Sequence, residues 1–79
     1  MAKTIGAPYP GTFYRRPSPQ AEPYVDEGDS VRAGDVVGLV EIMKNFHEVR
    51  SDVEGTVVRF LVENEDLVEA GQGLVELAD

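Results

Sequence analysis

The chain of 79 residues has no cysteine, no tryptophan, one histidine and two lysines. Without cysteine it can form neither disulfides nor thiolate metal sites, and thiol catalysis is excluded. The histidine, His47, has only scattered carboxylates as possible co-ligands, so no metal site is predicted. Apolar runs stay far below the ~18 residues of a membrane helix, and the first residues lack a secretory pattern. We therefore expect a soluble, cytoplasmic protein that does not contact membranes.

Basic charge is also scarce. Fifteen acidic residues against seven basic ones give a net charge of -8, which repels nucleic acid and anionic lipid. The acidic run at residues 63–66 lacks the ligand spacing of a calcium loop, so a solvated turn is predicted there. Neither a glycine-rich phosphate loop nor a Ser-His-Asp set is present. A single small domain over residues 1–79 is expected, and it is not an enzyme by itself.

The sequence contains an internal repeat. Five residues recur thirty-seven positions later with the same identity: Val25, Asp29, Val31, Ala33 and Gly34 match Val62, Asp66, Val68, Ala70 and Gly71. The Gly-Thr pairs at Gly11 and Gly55 are forty-four positions apart, so the first half carries seven extra residues. These belong to a proline-rich segment, residues 16–24, which we call the insertion. Prolines fix φ there and keep the insertion out of a sheet ladder.

Short runs of Val, Leu, Phe and Tyr, broken by Gly, Pro, Asp and Asn, are typical of strands joined by turns. Strands are predicted at residues 12–14, 30–31, 36–42, 47–50, 55–60, 67–68 and 74–77, after a flexible start at residues 1–4. A helix over residues 39–46 is the alternative. Because each half is too short to bury its own apolar face, the halves must pack together. The predicted fold is all-β: a small flattened antiparallel sandwich or barrel of two pseudo-two-fold-related halves.

Lys44 lies midway between the halves, where this symmetry predicts an exposed hairpin tip. A surface lysine with no special role is one interpretation. A catalytic lysine needs burial or a neighbouring cation, and Glu41 and Glu48 flank this one instead. A modification site needs an exposed amine on a rigid turn, which the repeat provides. Attachment of a group to Lys44 is therefore the favoured interpretation.

The segment from Glu41 to Phe46, Glu-Ile-Met-Lys-Asn-Phe, resembles the Glu-Ala-Met-Lys-Met motif of biotinyl domains, members of the biotin/lipoyl attachment family. Residues 11–19 resemble the start of biotin carboxyl carrier proteins of acetyl-CoA carboxylase. The resemblance spans nearly all of residues 5–77 and implies the hammerhead fold of that family. It also implies that a biotin protein ligase attaches biotin covalently to Lys44, with Met43 and Glu41 in the recognition motif.

The resemblance further implies that the insertion is the family's protruding thumb. The residues of the thumb that could contact biotin are Arg16, Pro17, Ser18 and Pro19. The implied function is a carrier that takes a carboxyl group from biotin carboxylase to carboxyltransferase in fatty acid biosynthesis, with acetyl-CoA or another acyl-CoA as acceptor. Two alternatives stay open. One is a lipoyl carrier of an oxo-acid dehydrogenase, although lipoyl domains usually have aspartate where Met43 stands. The other is an unmodified domain that serves as an assembly module.

Overall fold

The computed structural model describes residues 3–78, which form eight β-strands and no helix. The strands are β1 (Lys3–Gly6), β2 (Gly11–Tyr14), β3 (Ser30–Val31), β4 (Val36–Ile42), β5 (Asn45–Arg50), β6 (Gly55–Phe60), β7 (Leu67–Val68) and β8 (Gly73–Ala78). The all-β prediction is confirmed, and the alternative of a helix over residues 39–46 is wrong because that stretch forms β4 and the start of β5. Within the described part of the chain, no helix long and apolar enough to span a membrane is found.

The strands form two four-stranded antiparallel sheets, in the orders β1-β8-β6-β3 and β5-β4-β2-β7. Replacing each strand by its counterpart in the other half converts the first order into the second. The turns repeat as well: Gly34 N donates to Ser51 O at 2.7 Å, and Gly71 N donates to Ala7 O at 2.8 Å. Both turn glycines have positive φ, 96° and 85°, where an L side chain would be strained. The predicted pseudo-two-fold relation is therefore a property of the backbone.

One apolar core lies between the sheets and takes side chains from both halves. Its fully buried members include Ile5, Phe13, Val37, Val40, Val49, Val57, Leu74, Val75 and Leu77. Phe13 is the largest of them, and its ring lies against the backbone of Gly38. A Cβ atom at Gly38 would come within 2.5 Å of the Phe13 ring, so the core requires glycine at that point of β4.

The predicted flexible start is wrong for its last two residues. Lys3 and Thr4 belong to β1, where they pair with Leu77 and Glu76 of β8. The Lys3 ammonium also donates to the carbonyl oxygen of Glu54 at 2.9 Å. This edge strand was not predicted because Ile5 is its one buried residue and the two residues before it are polar. The first two residues of that predicted segment lie outside the described residues.

Candidate functional site

Lys44 lies in the hairpin that joins β4 to β5. Ile42 pairs with Asn45, which leaves Met43 and Lys44 as a two-residue turn. Both have positive φ, 49° and 68°, as a type I′ turn requires. Such turns favour Asn-Gly, since other residues enter this region of φ and ψ at a cost of about 1–3 kcal/mol each. The hairpin thus holds two long side chains in a backbone conformation that is unfavourable for them.

Both turn side chains project into solvent. Met43 is 89% exposed, and Lys44 is also exposed. Phe46, two residues further along β5, is 57% exposed although it is aromatic. The flanking carboxylates have other partners: Glu48 forms an ion pair with Arg50 at 2.5 Å, and Glu41 accepts a hydrogen bond from β2. The predicted exposed hairpin tip is therefore present, and its amine is accessible to a modifying protein.

The residue that restrains Glu41 is Tyr14 of β2. Its hydroxyl donates to Glu41 Oε1 at 2.9 Å, and its ring centroid lies 5.9 Å from that of Phe46. Accepting this hydrogen bond, the Glu41 carboxylate raises the pKa of Tyr14 above its ordinary value of 10.0, and partial desolvation and the charges of Glu41 and Glu65 raise it further. Through Tyr14, strand β2 therefore contacts both arms of the hairpin, at Glu41 and at Phe46.

The insertion is anchored at its two ends. Tyr24 N donates to Arg15 O at 2.9 Å and closes the loop, and within it Ala21 N donates to Ser18 O at 3.1 Å. The guanidinium of Arg15 lies 3.8 Å from the centroid of the Phe60 ring and contacts Asp26 at 3.4 Å. Burial and the charge of Glu48 raise the pKa of Tyr24. The far end of the insertion therefore returns to the sheet that carries the hairpin.

Between the insertion and the hairpin lies a pocket of about 250 Å³. Residues 16–19 form one side, and Tyr14, Phe46, Asn64 and Glu65 form the rest. Its surface is mostly apolar. The Nε atom of Arg16 is buried and has no hydrogen-bond partner among residues 3–78. Buried donors normally have partners, and this N–H and that of Arg15 are exceptions among the described residues.

The sequence-predicted site residues therefore fall into two places. Lys44 and Met43 are at the exposed turn, with Glu41 held just before it. Arg16, Pro17, Ser18 and Pro19 line the pocket, which reaches the hairpin through Phe46.

Four pocket residues were not predicted as site residues: Tyr14, Phe46, Asn64 and Glu65. The sequence contained one indication of Glu65. Glu65 is the repeat counterpart of Gly28, so a side chain stands where the other half has none.

Comparison with known proteins agrees with this geometry. The sequence model of the biotin/lipoyl family, described as "Biotin-requiring enzyme", matches residues 3–77. The biotin carboxyl carrier protein of acetyl-CoA carboxylase from Porphyra purpurea is 38% identical over 74 residues, which are 94% of this chain and 47% of that protein. Its counterpart from Pseudomonas aeruginosa is 41% identical over 70 residues, 89% of this chain and 45% of that one. The chain thus spans about half the length of these curated relatives.

A solved structure shows the same fold. The urea carboxylase of Kluyveromyces lactis superposes with a TM-score of 0.78 at 31% sequence identity, over 99% of this chain and 6% of that one. The family match covers nearly every described residue. The resemblance to biotinyl domains is thereby confirmed, and the chain belongs to the biotin/lipoyl family of biotin-requiring enzymes.

Proposed function

We propose that this chain is a biotin carboxyl carrier, with biotin attached through an amide bond to Nζ of Lys44. The observation that carries the proposal is the exposed lysine of the type I′ turn, within a domain of the biotin-requiring family. A two-residue turn between paired strands has little freedom, so the amine is presented in one orientation. Met43 and Glu41 are the neighbours that a biotin protein ligase would contact: one is fully accessible, and the other is fixed by Tyr14.

The pocket fits the head group of such a cofactor. Phe46 lies two residues from Lys44, roughly 7 Å along a strand, which is well within reach of a lysine extended by the biotin side chain. The rings of Tyr14 and Phe46 supply apolar contact, and Arg16 adds a positively charged residue to the pocket wall. Contacts of the bound ring with Arg16, Pro17, Ser18 and Pro19 are part of this proposal.

As a carrier, the chain leaves chemistry to its partners. The attached biotin would supply the ring that accepts and releases a carboxyl group, between a biotin carboxylase and a carboxyltransferase. The chain keeps that ring tethered, which gives each partner a high effective concentration of it. The names of the relatives support acetyl-CoA as the acceptor. Fatty acid biosynthesis, which the sequence resemblance implied, is part of the same proposal. The cytoplasmic location predicted from the sequence belongs to the same proposal.

Intact mass tests the attachment directly. The chain is co-expressed with a biotin protein ligase and biotin, beside the variants Lys44→Arg and Lys3→Arg. Because the described residues contain only these two lysines, each variant controls for the other. One biotinyl mass is expected on the native chain and on Lys3→Arg, and none on Lys44→Arg. A lipoyl mass after expression with a lipoyl ligase, or no added mass on a folded chain, would favour the lipoyl carrier or the assembly module instead.

A further inference from the structure

Glu65 has an unfavourable backbone conformation in a turn whose counterpart uses glycine. Its φ is 73°, and Gly28, thirty-seven residues earlier, has φ 92°. The two turns make equivalent hydrogen bonds: Gly28 N donates to Val57 O at 2.8 Å, and Glu65 N donates to Phe13 O at 2.6 Å. Glycine takes this conformation without strain, whereas glutamate does not. Backbone geometry therefore does not explain the glutamate.

The surroundings of the two turns differ. A Cβ atom added to Gly28 would meet nothing within 4 Å. Glu65 instead lines the pocket opposite the insertion, which the second half of the chain lacks. Glu65, which stands where the first half has a glycine, thus faces the insertion, which only the first half contains. This pairing suggests that the Glu65 side chain acts on whatever occupies the pocket.

The pocket wall contains two residues of opposite charge. Arg16 supplies the positive charge, and its Nε–H is buried without a partner among the described residues. Within residues 3–78, the Glu65 carboxylate accepts only a long hydrogen bond, from Asn64 Nδ2 at 3.5 Å. Its charge reaches the pocket wall, since it is among the causes that raise the pKa of Tyr14, after the hydrogen bond to Glu41, desolvation and the charge of Glu41. A neutral group that has both an acceptor and a donor would complement this pair.

The ureido ring of biotin is such a group, because it has a carbonyl oxygen and two N–H donors. Carboxylation replaces one N–H by a carboxylate. That change removes a donor that Glu65 could bind and adds a negative charge beside an existing one, in a chain whose net charge is -8. The positive charge of Arg16 favours the carboxylated form, so Glu65 is the group that can favour the uncarboxylated ring.

We propose that Glu65 makes the pocket selective for the uncarboxylated ring, so that the chain holds the empty cofactor and releases it once it is loaded. Glu65 is then a specificity-determining residue that neither the motif around Lys44 nor the insertion contains. This inference rests on the proposed attachment of biotin to Lys44. Its test must therefore distinguish a failure of selectivity by Glu65 from a failure of the carrier function.

Amide NMR of the ¹⁵N-labelled chain provides such a test. Spectra are compared for the unmodified chain, the chain carrying biotin as verified by intact mass, and the biotinylated chain kept carboxylated by a catalytic amount of biotin carboxylase with bicarbonate and ATP. Unmodified chain in the same mixture controls for added reagents. Biotinylation is expected to shift the amides of Arg16, Ser18 and Glu65, and carboxylation is expected to return them to their unmodified positions.

Two variants distinguish charge from shape. Glu65→Gln keeps the size and an acceptor oxygen but has no charge, so the shifts caused by biotin should persist after carboxylation. Glu63→Gln changes an exposed carboxylate of the same turn that does not line the pocket, and it should behave as the native chain does.

Each outcome bears on one of the two proposals. If biotin is present by mass but the pocket amides do not shift, or if they stay shifted after carboxylation of the native chain, selectivity by Glu65 is wrong and the carrier function stands. Identical behaviour of Glu65→Gln and native chain would also overturn it. A folded chain that gains no biotin would overturn both.

Discussion

The hydroxyl of Tyr14 lies 2.9 Å from Oε1 of Glu41, so a side chain of β2 restrains the residue three positions before Lys44. The Tyr14 ring meanwhile packs 5.9 Å from the Phe46 ring on the other arm of the hairpin. One tyrosine therefore contacts both arms of the turn. A ligase that recognises Glu41 would meet it already oriented, which lowers the entropy lost on binding.

Tyr14→Phe is expected to slow biotinylation while leaving the fold intact. The substitution keeps the ring beside Phe46 and removes the hydrogen bond, so Glu41 gains rotamer freedom. Initial rates at subsaturating concentrations of the chain, measured by mass with a biotin protein ligase, should fall, and the rate at saturation should change less. Lys3→Arg, remote in sequence from the hairpin, serves as the control. An unchanged rate profile would show that the ligase does not require an oriented Glu41.

The same hydrogen bond predicts a pH dependence of stability. The pKa of Tyr14 is raised because its neutral hydroxyl donates a hydrogen bond to Glu41, and because desolvation and nearby acidic charge disfavour the phenolate. The stabilisation from this group is then fully present below pH 10.0, the ordinary value, and is lost as the pH rises through the higher folded value. Above pH 10.0, denaturant midpoints should fall more steeply for the native chain than for Tyr14→Phe. Equal slopes would contradict the shift.

The hairpin predicts a conflict between stability and modification. Met43 and Lys44 both have positive φ, so the double substitution Met43→Asn with Lys44→Gly should stabilise the domain by about 1–2 kcal/mol. It would also abolish biotinylation. Lys44→Arg separates the two effects, because it abolishes biotinylation with a stability change within about 0.5 kcal/mol. Urea denaturation of the three proteins measures this. A double variant less stable than the native chain would mean that the turn is not type I′ in solution.

The sequence predicted the fold well because its signals were local or repeated. Short apolar runs bounded by turn residues placed β4 and β6, and the duplicated turns at Gly34 and Gly71 revealed the symmetry. Edge strand β1 was missed because it is only four residues long and buries a single side chain, that of Ile5, so its sequence shows no apolar run.

The pocket could be predicted only in part. The prolines of the insertion indicated an excursion from the sheet, but the side on which it lies depends on tertiary contacts such as that of Arg15 with Phe60. The conformation of Glu65 follows from the turn that it shares with Gly28 and not from its own propensity, so only comparison of the two halves could have indicated it.

Gly11 allows β2 to approach β4 closely beside Glu41. A Cβ atom there would collide with the carbonyl oxygen of Glu41 and come within 2.8 Å of a Val40 methyl group. Gly11→Ala must therefore displace the backbone beside Glu41, and it should destabilise the domain by about 1–3 kcal/mol. Gly6→Ala is the matched control, because its Cβ would find only ordinary contacts from 3.5 Å outward. Urea midpoints measure the stability of both variants.

The atom that collides with the added Cβ is the carbonyl oxygen of Glu41. Gly11→Ala should therefore also slow biotinylation at temperatures where the domain is still folded, whereas Gly6→Ala should not. Equal rates for the two alanine variants would show that ligase recognition tolerates movement of β4.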